Sequence, residues 1–373
     1  MSKLHAKLSA SGSARWINCS GSVSAEASYP NTSSIFADWG THCHELSEIT
    51  LLSEGSAFDW EGKNLPENNT IVVDREMADT AQQYVDYVRS LKGARMVEQR
   101  VDFSHIVPEG FGTCDALVFN GDHLHVVDLK GGKGVFVHAE ENTQGLLYAL
   151  GAVNDYGMLY DIKTLTIAIV QPRLDHISEW TISRESLDNW GVFIAKCATA
   201  ALSDNATRTP SDKACQWCKA KATCPALKDK TEGVLMSQFD DLEPANPDTL
   251  SDEQLRLALE SKKLIVSWLD AVETVVVARL ESGRAFKGFK MVAGRSLRAW
   301  GDEKEAEKML VSTLGEAKAY EPRKLLSVAK AEKELGKSKA DLLDGLVVKP
   351  EGKPTLAPES DSRPSVNVSV DDF

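Results

Sequence analysis

The sequence has no long apolar run. Nothing in it approaches the ~18 consecutive apolar residues that a membrane-crossing helix requires, which excludes an integral helical membrane protein. The N-terminal stretch MSKLHAKLSASGSARW also lacks the apolar segment of a secretory signal, so the expected compartment is the cytoplasm. An excess of positive charge is missing too. The formal net charge is -13, which excludes a protein that coats nucleic acid by bulk electrostatics but leaves room for a groove with a few local cations. Nor is there an even set of cysteines. Seven of them, in a chain without an export signal, argue against a disulfide framework and for metal or cluster ligation in any tight grouping. What is present is 42% hydrophobic and 26% charged residues over 373 positions, the balance of a globular protein of two or three domains.

Apolar spacing predicts helices from about Ala37 to Leu52 and from Asp74 to Lys92, the second with Met77, Ala81, Tyr84, Val85 and Val88 on one face. Three strands are expected at Arg95–Phe103, Gly112–Phe119 and His123–Leu129, the last two joined by an Asn120-Gly121-Asp122 turn. A helix at Glu140–Tyr156, strands at Lys163–Gln171 and Ile177–Ile182, and a helix at Arg184–Leu202 complete a mixed α/β core. Residues 231–250 read as a linker, and Ser251–Leu280 as a long helix capped by Ser251-Asp252-Glu253-Gln254. The expected organisation is thus a core domain at 1–230, a linker, a mainly helical accessory domain at 251–344, and a disordered acidic tail at 345–373.

The most informative chemistry lies in Gly112-Thr113-Cys114-Asp115, followed after twelve residues by Asp128-Leu129-Lys130-Gly131-Gly132. On paired strands Asp115 and Asp128 can reach one end of the sheet, and the period of two puts Asp128 and Lys130 on the same face. Two carboxylates and an ammonium gathered there suit Mg²⁺ or Mn²⁺ and the hydrolysis of a phosphodiester. A bare D…DxK match arises readily by chance. This one has company: Gly40-Thr41-His42-Cys43-His44 opens a helix upstream, and Gln144 and Tyr148 lie four apart on the next helix.

These four elements, Gly40…His44, Gly112…Asp115, Asp128…Lys130 and Gln144…Tyr148, resemble in order the motifs of the RecB-like PD-(D/E)xK nucleases. The resemblance implies a restriction-endonuclease-like mixed-sheet core flanked by helices, and a metal-dependent deoxyribonuclease, either an exonuclease or an end-processing enzyme. It further implies that His44, Asp115, Asp128 and the backbone carbonyl of Leu129 bind the metal. Lys130 would activate water or stabilise the scissile phosphate, while Gln144 and Tyr148 position Lys130 and the DNA backbone. His42 is an alternative to His44, although the helical register favours His44. Glu98 is either an additional ligand or a solvent-facing strand carboxylate, the second reading being favoured, and His123 and His125 read as structural residues.

Cys215-x₂-Cys218-x₅-Cys224-Pro225 is a tight trio that needs one more thiolate, and four thiolates suit zinc or an iron–sulfur cluster. The setting of Cys19, Ser11…Trp16-Ile17-Asn18-Cys19, is similar to the opening of iron–sulfur RecB-like nucleases, with Ser20 in place of the usual proline. In those relatives one cysteine precedes the core and three follow it. The likeness therefore implies a [4Fe-4S] cluster on Cys19, Cys215, Cys218 and Cys224, with zinc as the alternative. Cys43, Cys114 and Cys197 read as small buried residues. Between Asn205 and Lys230 six basic residues face two acidic ones, which makes that stretch the expected place for DNA contact.

The nuclease likeness covers about residues 8–230. Farther on, Phe286–Trp300 mixes cations and aromatics, as either a single-strand-binding surface or a hairpin with Phe289 and Trp300 turned inward. The whole-chain pattern, including Lys353-Pro354-Thr355 and the Asp371-Asp372-Phe373 end, resembles phage- and prophage-encoded RecB-like proteins. That implies a role in phage DNA replication or recombination in the host cytoplasm. A single-strand-binding protein, helicase or recombinase would be the partner, and no membrane would be involved. The other class open to the sequence is a non-catalytic DNA-binding or scaffold protein on the same fold.

Overall fold

A computed structural model describes residues 6–30, 35–53, 55–67, 71–239 and 252–289. Two short helices, α1 (Ser13–Asn18) and α2 (Ser22–Glu26), lead into α3 (Ile35–Ser53) and α4 (Arg75–Ser90). Strands β1 (Ala94–Asp102), β2 (Phe111–Asn120) and β3 (His123–Leu129) follow, then α5 (Thr143–Tyr156), β4 (Thr164–Gln171), β5 (His176–Ser183) and α6 (Arg184–Leu202). The rest of the described chain is helical: α7 (Asp212–Cys215), α8 (Pro225–Phe239) and α9 (Asp252–Glu281). The expected α/β class, a mixed sheet flanked by helices with a helical C-terminal region, is what the chain adopts. No described helix is long and apolar enough to cross a membrane.

The five strands lie in the order β1-β2-β3-β4-β5. All neighbours are antiparallel except β3 and β4, which are parallel and joined by the α5 crossover. At the β2–β3 turn Asn120 pairs with His123, and Gly121 takes a φ of 63°, the left-handed backbone that a two-residue hairpin demands. Each face of the sheet is covered. Leu117, Phe119, Leu124 and Val126 pack with Leu146, Leu150 and Ile194 of α5 and α6, and with Leu8 and Trp16 of the N-terminal segment. On the other face Ala116, Val118, Val127 and Leu129 pack with Leu46 of α3 and Met77, Tyr84 and Val88 of α4. From Val126 to Leu129 the β3 strand is buried on both sides, and Val126, Val127 and Leu129 are accordingly apolar, with Asp128 the exception.

Helix starts follow side-chain caps. Asp74 accepts from the Met77 amide to begin α4, Asn142 from Gly145 to begin α5, and Ser183 from Ser186 to begin α6. The α5 helix therefore starts at Thr143 rather than at Glu140, and Glu141, with a φ of 53°, could not lie inside it.

Two expectations about organisation need correction. Helix α8 runs from Pro225 to Phe239, so 231–239 is helix and not linker. Helix α9 belongs to the same compact unit as the sheet, Met1–Met291, instead of opening a separate domain at 251. The physical reason is packing: Leu264 is buried against Cys19, Cys215 and Leu227, and Lys221 Nζ donates to Ser267 Oγ at 2.8 Å. The Ser251 cap, the remainder of the expected linker, the helices after 300 and the acidic tail lie outside the described residues.

Candidate metal centre

Asp115 and Asp128 stand side by side because β2 and β3 pair with Ala116 opposite Val127. Asp115 is linked in two directions. Its Oδ1 lies 3.3 Å from His44 Nδ1, and its Oδ2 accepts from the Leu129 amide at 2.6 Å. Asp128, almost fully buried, meets Lys130 Nζ at 2.8 Å through Oδ2 and accepts from Gln144 Nε2 at 3.0 Å through Oδ1. Gln144 completes a relay: its Oε1 takes a hydrogen bond from Lys130 at 2.9 Å, and its Nε2 also reaches the Tyr148 hydroxyl at 3.1 Å. The α-helical spacing of four puts Gln144 and Tyr148 on one face of α5, over Asp128 and Lys130. The structure therefore brings together His44, Asp115, Asp128, Lys130, Gln144 and Tyr148.

One ring nitrogen of His44 and one carboxylate oxygen each from Glu98 and Asp115 lie within 4.8 Å of one another. Two oxygen or nitrogen ligands about 2.1 Å from one cation are at most about 4.2 Å apart, so the trio needs only a small inward movement to hold a divalent ion. The donor set of one imidazole and two carboxylates, with Asp128 adjacent, fits Mg²⁺ or Mn²⁺. Of the two readings of Glu98, the favoured one, a solvent-facing carboxylate, gives way to the other: the residue is half-buried and stands with His44 and Asp115. Its φ is 47°, a backbone that an ordinary residue rarely takes, and it is the one position of β1 between Val97 and Gln99 that loses its pairing with β2. Strand alternation is broken there. Val97 packs on the α3–α4 side while Val101 packs on the α5–α6 side. Counting faces back from Val101 therefore assigns Glu98 wrongly.

Electrostatics bind the cluster together. Burial works against the charge of Asp115, but His44, Lys130 and the Leu129 amide hold its carboxyl below the usual range. Burial also disfavours a charged His44, yet the adjacent Asp115 carboxylate, helped by Asp128, raises it to about 9. Asp128 is pushed up, burial and the nearby Asp115 outweighing Lys130. Lys130 is held above its ordinary range by Asp128, against the effect of burial. Cys43 and Cys114, expected as small buried residues, are both fully enclosed, and burial pushes the Cys43 thiol up to about 12.

His42 is not an alternative ligand in this arrangement: it is buried on another face of α3, with Nδ1 2.7 Å from the Asp38 carbonyl. Gly40 does not open a helix either, since α3 begins at Ile35. A Cβ at Gly40 would meet nothing within 4 Å, whereas one at Gly112 would lie 2.7 Å from Tyr148 Cε1. Of the two motif glycines, only Gly112 is required by packing. Arg173 gave no sequence signal. It stacks on Trp39, 4.1 Å from the ring centre, and donates to the Gly131 carbonyl at 3.0 Å, fixing the loop that follows Lys130.

The four cysteines expected to act together, Cys19, Cys215, Cys218 and Cys224, line one small pocket with Ser22 and Lys221. Hydrogen bonds join the two distant segments that supply them. Gly21 N donates to the Thr207 carbonyl at 2.8 Å, Thr209 N to Cys19 Sγ at 3.2 Å, and Lys219 N to Glu26 at 2.6 Å. Of the six cations between Asn205 and Lys230, Lys221, Lys228 and Lys230 are turned to internal partners. Phe289 is 69% exposed, and Trp300 with the rest of the Phe286–Trp300 segment after 289 lies outside the described residues.

A family described as "Protein of unknown function (DUF2800)" matches residues 5–364. The chain belongs to the DUF2800 family. Its match runs well past residue 230 and so takes α9 in with the sheet. Among solved structures, one titled "Crystal structure of SSO0001" aligns with this DUF2800 chain at 14% identity and a TM-score of 0.28, covering 61% of the chain and 89% of its own. A likeness of that size assigns no role to any residue.

Proposed function

We propose that this chain is a metal-dependent deoxyribonuclease of the RecB-like kind, an exonuclease or end-processing enzyme, with the four-cysteine pocket holding an iron–sulfur cluster. The observation that carries the reading is the meeting of His44, Glu98 and Asp115 donors within 4.8 Å, beside an Asp128–Lys130–Gln144 relay. His44, Asp115 and Asp128, with Glu98 added, would hold Mg²⁺ or Mn²⁺. The cation would supply Lewis acidity toward a phosphodiester and its attacking water. Lys130 pairs its charge with Asp128 and donates one hydrogen bond to Gln144, which leaves an ammonium donor for the phosphate, whose developing charge it stabilises. Gln144 fixes the direction of that donor. Tyr148 is almost fully buried and acts by orienting Gln144; this reading gives it no direct contact with DNA.

All four cysteines line one pocket, and their one-plus-three layout along the chain is the ground for proposing the cluster, with zinc as the alternative.

Digestion of end-labelled linear DNA with Mg²⁺ or Mn²⁺ tests the proposal. Cleavage is expected with the wild-type chain and not with chelator, and Asp128→Ala and Lys130→Ala should each lower it by 10²-fold or more, an order of magnitude typical for such groups. Folded variants that cut as well as the wild type would remove this site from consideration. The end label also reads the polarity of digestion.

A further inference from the structure

Two buried hydrogen-bond donors near the cysteines have no acceptor. Ser22, on α2, is 2% exposed and lines the same pocket as Cys19, Cys215, Cys218 and Cys224, yet its hydroxyl has no hydrogen-bond partner among the described residues. Trp268, on α9, packs against the apolar cluster that contains Cys19 and Cys215, and its indole Nε1 is likewise buried and unpaired. Orphaned donors are rare in folded interiors because their hydration is lost without replacement. Two of them near one set of thiols call for a shared acceptor that the bare chain does not provide. Neutral thiols accept weakly, whereas the thiolate and sulfide sulfurs of an iron–sulfur cluster carry negative charge and accept well.

Helix α9 is held in place to serve this role. Lys221, between Cys218 and Cys224, donates to Ser267, the residue next to Trp268, and Leu264 one turn earlier is buried in the same cluster. The Thr209 amide, donating to Cys19 Sγ, already shows one N–H directed at a ligand sulfur.

We propose that Ser22 and Trp268 donate hydrogen bonds to the sulfurs of an iron–sulfur cluster held by the four cysteines, and that α9 is thereby part of the cluster's coat. This rests on the cysteine reading above and adds to it residues from two elements that supply no ligand. Donors to cluster sulfur favour the reduced form, which is the more negative one, so they raise the reduction potential.

The test uses the full chain purified without oxygen. Iron and acid-labile sulfide are measured, and the midpoint potential is then titrated for wild type, Ser22→Ala, Ser22→Thr and Trp268→Phe. The Phe variant keeps most of the ring packing and removes only the N–H; Thr keeps the hydroxyl. Ser22→Ala and Trp268→Phe should each make reduction about tenfold less favourable, a shift of about 59 mV to lower potential for a one-electron couple, and Ser22→Thr should restore the wild-type value. If Trp268→Phe does not fold, the Ala and Thr pair at Ser22 decides. A chain with iron and sulfide whose potential is unchanged in the variants overturns the donor assignment and leaves the cluster standing. A chain with neither iron nor sulfide overturns both.

Discussion

Gly112 offers a direct test of how the site is built, because a single methyl group placed there meets the hydrogen-bonded relay of Tyr148, Gln144 and Lys130. The Cβ of Gly112→Ala would lie 2.7 Å from Tyr148 Cε1 and 3.6 Å from the Ala10 methyl, with ordinary carbon–carbon contact at about 3.5–4.0 Å. The Tyr148 ring must therefore retreat by about 1 Å. It has little room to do so, being almost fully buried in the core that α5 forms with the sheet. Overpacking of this kind costs about 1–3 kcal/mol, several degrees in Tm for a unit of this size. The functional loss should be larger than the stability loss. The Tyr148 hydroxyl anchors Gln144, and Gln144 anchors both Lys130 and Asp128, so a displacement of about 1 Å is passed to the reacting groups and should cost about 10²-fold in DNA cleavage. Urea denaturation and the end-labelled DNA assay read the two effects separately. A Gly112→Ala protein with wild-type stability and wild-type cleavage would refute the argument that Tyr148 needs bare backbone beneath it.

Gly40→Ala is the matched contrast: with open space around its Cβ and a helical backbone, it should stabilise the fold by about 0.5–1 kcal/mol in the same urea titration, and a loss of stability would count against the packing described for α3. Glu98→Gly should relieve the left-handed backbone and raise the stability of the metal-free protein by about 1 kcal/mol, while calorimetry shows weaker Mn²⁺ binding; unchanged affinity would remove Glu98 from the ligand set. The pairing of His44 with Asp115 predicts a pH dependence. Because the folded pKa of His44, about 9, lies above its ordinary 6.5, its contribution to metal-free stability is complete below pH 6.5 and is lost as the pH rises through about 9. A His44→Gln variant should lack that decline, and a wild-type urea midpoint that stays level from pH 6.5 to 9 would contradict the pairing. A cation competes with the same proton, so Mn²⁺ affinity should climb over this window.

Much of the fold is legible where side chains mark the ends of elements. The β3 strand His123–Leu129 and the α6 helix Arg184–Leu202 have the bounds expected from sequence, one set by the Asn-Gly-Asp turn and the other by the Ser183 cap. Asp115, Asp128 and Lys130 of the candidate site were legible too, from their types and spacing, although Lys130 lies just past the end of β3 and Cys114 shares a core face with Leu117, so that the period of two does not run through Asp115. Glu98 is ambiguous from sequence, an added ligand or a solvent-facing carboxylate, because one left-handed residue reverses the faces of the strand and nothing in its letter announces that. The place of α9 was equally hidden. Its apolar spacing says that it is a helix with a face to bury, but only the packing of Leu264 and Trp268 on the apolar cluster of Cys19, Cys215 and Leu227 shows which surface takes that face. Arg173 belongs to the same class, a single cation whose role depends on a stacking partner, Trp39, far away in the sequence.

The seam between the first thirty residues and the segment around 207–224 has a consequence for biosynthesis. Helix α1 and Cys19 rest on chain that is translated some two hundred residues later: Gly21 on Thr207, Arg15 on the Trp217 carbonyl, Tyr29 on Thr223. Leu8 and Trp16 can settle on the sheet and α5 once those are made, but Cys19 and the α1–α2 hydrogen bonds wait for the 207–224 segment. The four-cysteine pocket is thus the part of the fold that can be completed only when both distant segments are present.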